Sequence, residues 1–121
     1  MSKRHDRALI EDMLGRVDLV ADFTQPGHEA FMADRMRQEA VIRSLEVIGE
    51  ASRNLSPDLR DSHPEVPWRQ IAAFRNFVIH VYWDIRLERI WEIVENDLPA
   101  LKPQLETLLA NLPDNETDDD A

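Results

Sequence analysis

The stretch His28-Glu-Ala-Phe-Met-Ala-Asp-Arg-Met-Arg-Gln-Glu-Ala-Val-Ile-Arg-Ser-Leu-Glu-Val-Ile-Gly-Glu-Ala-Ser-Arg-Asn-Leu55 decides the fold. Its apolar residues Phe31, Met32, Met36, Ala40, Val41, Leu45, Ile48 and Ala51 return at steps of three and four, which is the period of one face of an α-helix and not the alternation of a strand. The spacing predicts one helix from about His28 to Leu55. Ser56-Pro57 ends it, because the residue before a proline is pushed out of the helical region.

The same period continues on both sides. Upstream, Leu9, Ile10, Met13, Leu14, Val17 and Val20 or Ala21 form a stripe that predicts a helix from about Lys3 to Phe23, stopped by Thr24-Gln-Pro-Gly27. Downstream, residues 56–67 carry three prolines and read as a loop. Pro67 fits the first position of a third helix, where its missing N–H costs no helical hydrogen bond. That helix carries Trp68, Ile71, Phe74, Val78 and Val81, and the pattern resumes at Ile85, Leu87, Ile90, Trp91, Val94 and Leu98 after a kink near Tyr82 to Arg86. Pro99 opens a last helix with Leu101, Leu105, Leu108, Leu109 and Leu112. The expected fold is all-α: an antiparallel bundle of about five helices with short links, in one domain over residues 1–113. The aromatic-rich third and fourth segments are suited to a homodimer interface.

Composition narrows the function classes. A chain of 121 residues, 43% of them hydrophobic, suits one domain with a real core. Without cysteine it has neither a disulfide framework nor thiolate metal ligands. The charged start, Met1-Ser-Lys-Arg-His-Asp-Arg7, lacks a signal peptide's apolar run, and no window has the apolar length of a membrane span. A cytoplasmic protein is the expectation. The net charge of −10 is unfavourable for broad nucleic-acid binding, which rests on Lys and Arg neutralising phosphates. Five acids, Asp114, Glu116, Asp118, Asp119 and Asp120, lie in the tail 114–121, and without them the body still carries −5. Such a tail reads as a solvated, disordered end. The acidic body is compatible with a small cutting site and with a basic protein partner.

The residues that can do chemistry cluster in Arg75-Asn-Phe-Val-Ile-His-Val-Tyr82. On a regular helix Arg75 and Tyr82, seven apart, share a face, whereas His80, five from Arg75, points well away. Either the helix bends near His80 or a second copy completes the site across a two-fold axis. Asn76 and Asp84 lie four residues either side of His80, and either can orient the imidazole. RNA cleavage needs little more. The ribose 2′-hydroxyl attacks the adjacent phosphorus, a histidine near neutral pKa moves the protons, and an arginine fork holds the phosphate as charge builds on its oxygens. With those roles filled, no metal or other cofactor is required.

By spacing alone, this cluster reads more readily as a packed arginine and a structural histidine than as a catalytic pair. His5, His28 and His63 have no metal-ligand spacing, and Glu46 and Glu50, four apart, read as a solvated or paired helix edge. Trp68, Trp83 and Trp91 fit core or interface packing better than base stacking. There is no glycine-rich phosphate loop and no serine-nucleophile motif.

A family resemblance changes that balance. Arg75, His80 and Tyr82 stand as Arg-x4-His-x-Tyr, with a polar residue, Asn76, after the arginine. The pattern resembles the signature of HepT-type toxins of the HEPN ribonuclease superfamily. Three further segments are similar to that family in the same order: Arg43-Ser-Leu-Glu-Val-Ile-Gly-Glu-Ala51, Pro64-Glu-Val-Pro-Trp68 and Ile90-Trp-Glu-Ile-Val-Glu-Asn-Asp-Leu-Pro99. The resemblance spans about residues 3–112. It implies a homodimeric helical bundle whose two Arg/His motifs meet in a cleft, with Arg75 and His80 catalytic and Asn76 supporting. It also implies a partner antitoxin, a minimal nucleotidyltransferase of the MntA type, that transfers AMP from ATP to the motif tyrosine, here Tyr82.

One stretch departs from the family pattern. After the tyrosine, Trp83-Asp84-Ile85-Arg86 stands where the family often has a small residue and then an acid. Two readings follow. In the first the chain is an RNase toxin silenced by AMP transfer. In the second it is a non-catalytic helical module that docks or regulates a nucleotidyltransferase.

Overall fold

A computed structural model describes residues 3–78 and 83–112. Every regular element among them is helical: α1 (Lys3–Phe23), α2 (His28–Ala33), α3 (Arg35–Arg53), α4 (Pro57–Ser62), α5 (Trp68–Ala72), a 3-10 segment (Ala73–Val78), α6 (Trp83–Glu92), a π-helical turn (Ile93–Asp97) and α7 (Leu98–Asn111). The all-α expectation holds. The acidic tail 114–121, together with His80 and Tyr82, lies outside the described residues.

The bundle is antiparallel, as its end-to-end contacts show. Arg37 at the start of α3 donates from Nη1 to the Phe23 carbonyl at the end of α1 (2.7 Å). At the other end, Asp6 on the first turns of α1 accepts from the Ser56 backbone N–H (2.8 Å) and hydroxyl (2.7 Å), just beyond α3. Asp6 is only 3% exposed, and its two oxygens are matched to two donors, as burial of a carboxylate demands. α7 also runs against α1: Lys102 near its start meets Asp18 at 2.9 Å, and the Leu109 carbonyl near its end accepts from Arg7. The Asp18 hydrogen bond, reinforced by its charge, raises the Lys102 pKa.

The core sits between these three helices. It takes Ile10, Met13, Val17 and Val20 from α1, Val41, Leu45 and Ile48 from α3, and Leu101, Leu105 and Leu108 from α7, with Phe31 of α2 closing one end. Trp68 and Trp91 pack on this core half-buried. Trp68 donates to the His63 carbonyl (3.0 Å), and Trp91 lies against Phe31 and His28. For these two tryptophans packing is therefore the use found.

Five details differ from the sequence expectation. The helix predicted over 28–55 is broken at Asp34, whose backbone is extended (φ −124, ψ 104). Asp34 accepts from the Arg37 N–H (3.2 Å) as the N-cap of α3, and buried Gln38 donates to the Phe31 and Met32 carbonyls (2.9 and 3.1 Å), satisfying the end of α2. Because the helical register restarts there, Met36 leaves the expected stripe and is 83% exposed. The 56–67 loop contains α4, with Ser56 as its N-cap and Pro57 in its first turn. Pro67 is the cap residue of α5 and not its first turn. Finally, the third helix does not continue as an α-helix but tightens at Ala73 into the 3-10 segment. Residues 93–97 make the opposite change, and the looser π winding buries both Ile93 and Val94.

Candidate active site

Arg75 and Asn76 lie in the 3-10 segment Ala73–Val78. Six residues is long for this tight winding, which mid-helix often marks a functional or strained stretch. Phe74 and Ile71, 3% and 1% exposed, anchor the segment in the core. Arg75 is half-buried and Asn76 exposed.

The segment rests on α3 at Gly49. A Cβ at position 49 would lie 3.1 Å from each of the Ile71 carbonyl oxygen, the Ala72 carbonyl oxygen and the Arg75 amide nitrogen. These are backbone atoms and have little freedom to yield. A side chain here would force α3 and the segment apart by a few tenths of an ångström, so a glycine inside this helix has a packing reason. The next residue, Glu50, takes the arginine side chain: Glu50 Oε1 lies 3.3 Å from Arg75 Nε. Among the described residues this is the ion pair of Arg75.

Beside the pair runs an open cleft of about 300 Å³ between α1 and α3. Leu9, Val47 and Ala51 supply apolar lining, and Asp12, Arg43, Glu46, Glu50, Asn54 and Arg75 supply polar groups. Arg43 is itself paired with Glu46 at 2.8 Å. The cleft therefore mixes three carboxylates with two guanidiniums, and it is no broad basic surface.

The sequence-predicted residues fare differently. Arg75 and Asn76 are adjacent on the tight segment, with the guanidinium at the cleft. His80 and Tyr82, and with them the question whether the chain bends or a second copy completes the cluster, lie outside the described residues. Glu46 and Glu50, read as a solvated or paired edge, are both paired. What the sequence reading missed is that the partner of Glu50 is the candidate site arginine. The available signal was Gly49, a helix-breaking residue kept inside a strong helical stripe. His28 and His63 are satisfied locally, by Glu88 and Glu65, both at 3.2 Å.

Comparison with known proteins bears on the chain as a whole. The family model described as "Ribonuclease HepT-like" matches residues 13–108. A Thermococcus cleftensis protein named "Probable ribonuclease HepT" is 40% identical over 107 residues, 88% of this chain and 97% of its own. A Methanocaldococcus jannaschii protein named "Putative RNase" is also 40% identical over 107 residues, covering 88% of this chain and 98% of its own. A "Putative RNase" of Caldanaerobacter subterraneus is 40% identical over 81 residues, 67% of this chain and 72% of its own. No solved structure matches the chain. The bundle, the tight arginine-bearing segment and these relatives place the chain in the HepT-like ribonuclease family.

Proposed function

We propose that the chain is the toxin of a two-gene toxin–antitoxin pair and a metal-independent endoribonuclease. The observation that carries the reading is Arg75: in a chain of a ribonuclease family, the motif arginine sits at an open cleft, 37% exposed, with its guanidinium steered by a carboxylate. A guanidinium needed only for stability has little reason to be held there, since exposed ion pairs contribute little.

In this reading the 2′-oxygen of the substrate ribose attacks the neighbouring phosphorus. The O2′–P bond forms, the P–O5′ bond breaks, and the products are a 2′,3′-cyclic phosphate and a 5′-hydroxyl. His80 moves the protons, taking one from the 2′-hydroxyl or giving one to the departing O5′. Arg75 stabilises the charge on the phosphoryl oxygens, and Asn76 supports the pair. A homodimer brings two such motifs to one cleft. The antitoxin, a minimal nucleotidyltransferase of the MntA type, joins the Tyr82 phenol oxygen to the α-phosphorus of ATP and releases pyrophosphate. The new phosphate then lies two residues from His80, where it occupies the arginine and repels RNA, as phosphorylation would.

Induced expression in a bacterial host tests the reading. Wild type is expected to arrest growth and to leave RNA fragments with cyclic phosphate ends, while His80→Ala permits normal growth at equal protein level. Co-expression with the nucleotidyltransferase should restore growth and place AMP on Tyr82. A second reading, a non-catalytic binding module, is favoured by the net charge of −10. It predicts that wild type and His80→Ala leave growth and RNA equally untouched.

A further inference from the structure

Glu50 is separated from Arg75 by 25 positions in sequence, yet α3 and the 3-10 segment bring them together. Two independent observations converge on one arginine. Gly49 lets the α3 backbone lie against the Arg75 amide nitrogen, which fixes where the arginine leaves the main chain. Glu50, the very next residue, forms an ion pair with the same arginine, its Oε1 lying 3.3 Å from Nε. The geometry points to Glu50 as a positioning residue, one that acts through Arg75 and does not touch RNA. This inference rests on the ribonuclease reading above and deepens it.

The chemistry favours this division of labour. A guanidinium is planar and offers five N–H donors in a fixed fork. A carboxylate whose near contact is to Nε leaves the two Nη groups able to engage a phosphate. Without it, the long side chain samples many rotamers, and each must be frozen out when RNA binds. The exposure of the pair, 37% for Arg75 and 55% for Glu50, makes it a weak contributor to fold stability. A single carboxylate also repels the incoming phosphate, so positioning and attraction pull in opposite directions and are separable by kinetics.

The test uses the full chain with Glu50→Ala, Glu50→Gln and Arg75→Ala. Cleavage of an RNA oligonucleotide is followed in EDTA, and the Arg75 Nε–H signal is followed by NMR. Losing a positioned contact is expected to lower kcat by about tenfold while KM stays level or falls, because misplacement of a reacting group acts on the transition state. Glu50→Gln keeps an acceptor oxygen and should recover most of kcat. The melting temperature should not move with Glu50→Ala.

The Nε–H arm does not depend on activity. In wild type the Arg75 Nε–H signal should be displaced by the nearby Glu50 carboxylate, and Glu50→Ala should return it to the exposed-arginine envelope. If wild type is inert on RNA but the Nε–H peak responds to Glu50→Ala, the ribonuclease reading fails while the Glu50–Arg75 pairing stands. An Nε–H signal indifferent to Glu50→Ala overturns the inference, as does a rise in KM with kcat unchanged.

Discussion

Adding one methyl group at Gly49 is expected to destabilise the protein, although the same change usually stabilises a helix. Replacing a helix-interior glycine by alanine contributes about 0.5–1 kcal/mol in favour of folding, through lost freedom in the unfolded chain. At Gly49 the new Cβ meets three backbone atoms at 3.1 Å, and overpacking a tight interior site costs about 1–3 kcal/mol. The balance is a net loss near 1 kcal/mol, worth roughly 3–5 °C in Tm for a domain of this size. Gly15 supplies the internal control. It is exposed on α1, and a Cβ there has nothing within 4 Å, so Gly15→Ala should stabilise by the full ~0.5–1 kcal/mol. The assay is urea and thermal unfolding of both variants by circular dichroism, each at several protein concentrations so that any assembly is held constant. The two changes should move stability in opposite directions, and Gly49→Ala should also reduce RNA cleavage because the segment it displaces carries Arg75. If Gly49→Ala is as stabilising as Gly15→Ala, the close approach of α3 to the 3-10 segment is not real, and the platform argued for Arg75 goes with it.

Other expectations follow from the same contacts. Gln38→Ala strips the donors from the Phe31 and Met32 carbonyls, and with Gln38 only 4% exposed the unsatisfied groups should cost about 1–3 kcal/mol, read as a fall in the urea midpoint with activity per folded molecule unchanged. Asp6→Ala leaves the half-buried Ser56 donors unmatched and should cost a similar ~1–3 kcal/mol. A near-neutral Asp6→Ala in equilibrium unfolding would mean that the α1–α4 tie contributes nothing.

The helical class, the three long core helices and the packing role of Trp68 and Trp91 were legible because each rests on one period or one residue type. The break at Asp34 was not legible. The apolar stripe runs through it, and its only marks are an aspartate suited to an N-cap and a glutamine at a core-facing position. Ser56-Pro57 was readable as a stop, but the same two residues begin α4, and spacing says nothing about whether a chain that leaves one helix enters another. Tightening into 3-10 geometry at Ala73 likewise leaves no trace in a pattern of apolar residues. For the site, the motif announced Arg75 and Asn76, while Glu50 was hidden because a one-dimensional reading shows which helix edge a carboxylate occupies and not who faces it. The comparison with relatives established the family over residues 13–108. The roles of His80 and Tyr82 rest on the motif itself.

This acidic helical protein is proposed to cut RNA with Arg75 and His80 and without metal. The direct measurement is incubation of purified wild type, Arg75→Ala and His80→Ala with total cellular RNA and with tRNA in EDTA, followed by mapping of fragment ends. Cleavage by wild type alone, leaving 2′,3′-cyclic phosphates and 5′-hydroxyls, is the predicted result. No cleavage by folded, unmodified wild type on either RNA, or equal cleavage by all three proteins, would contradict it.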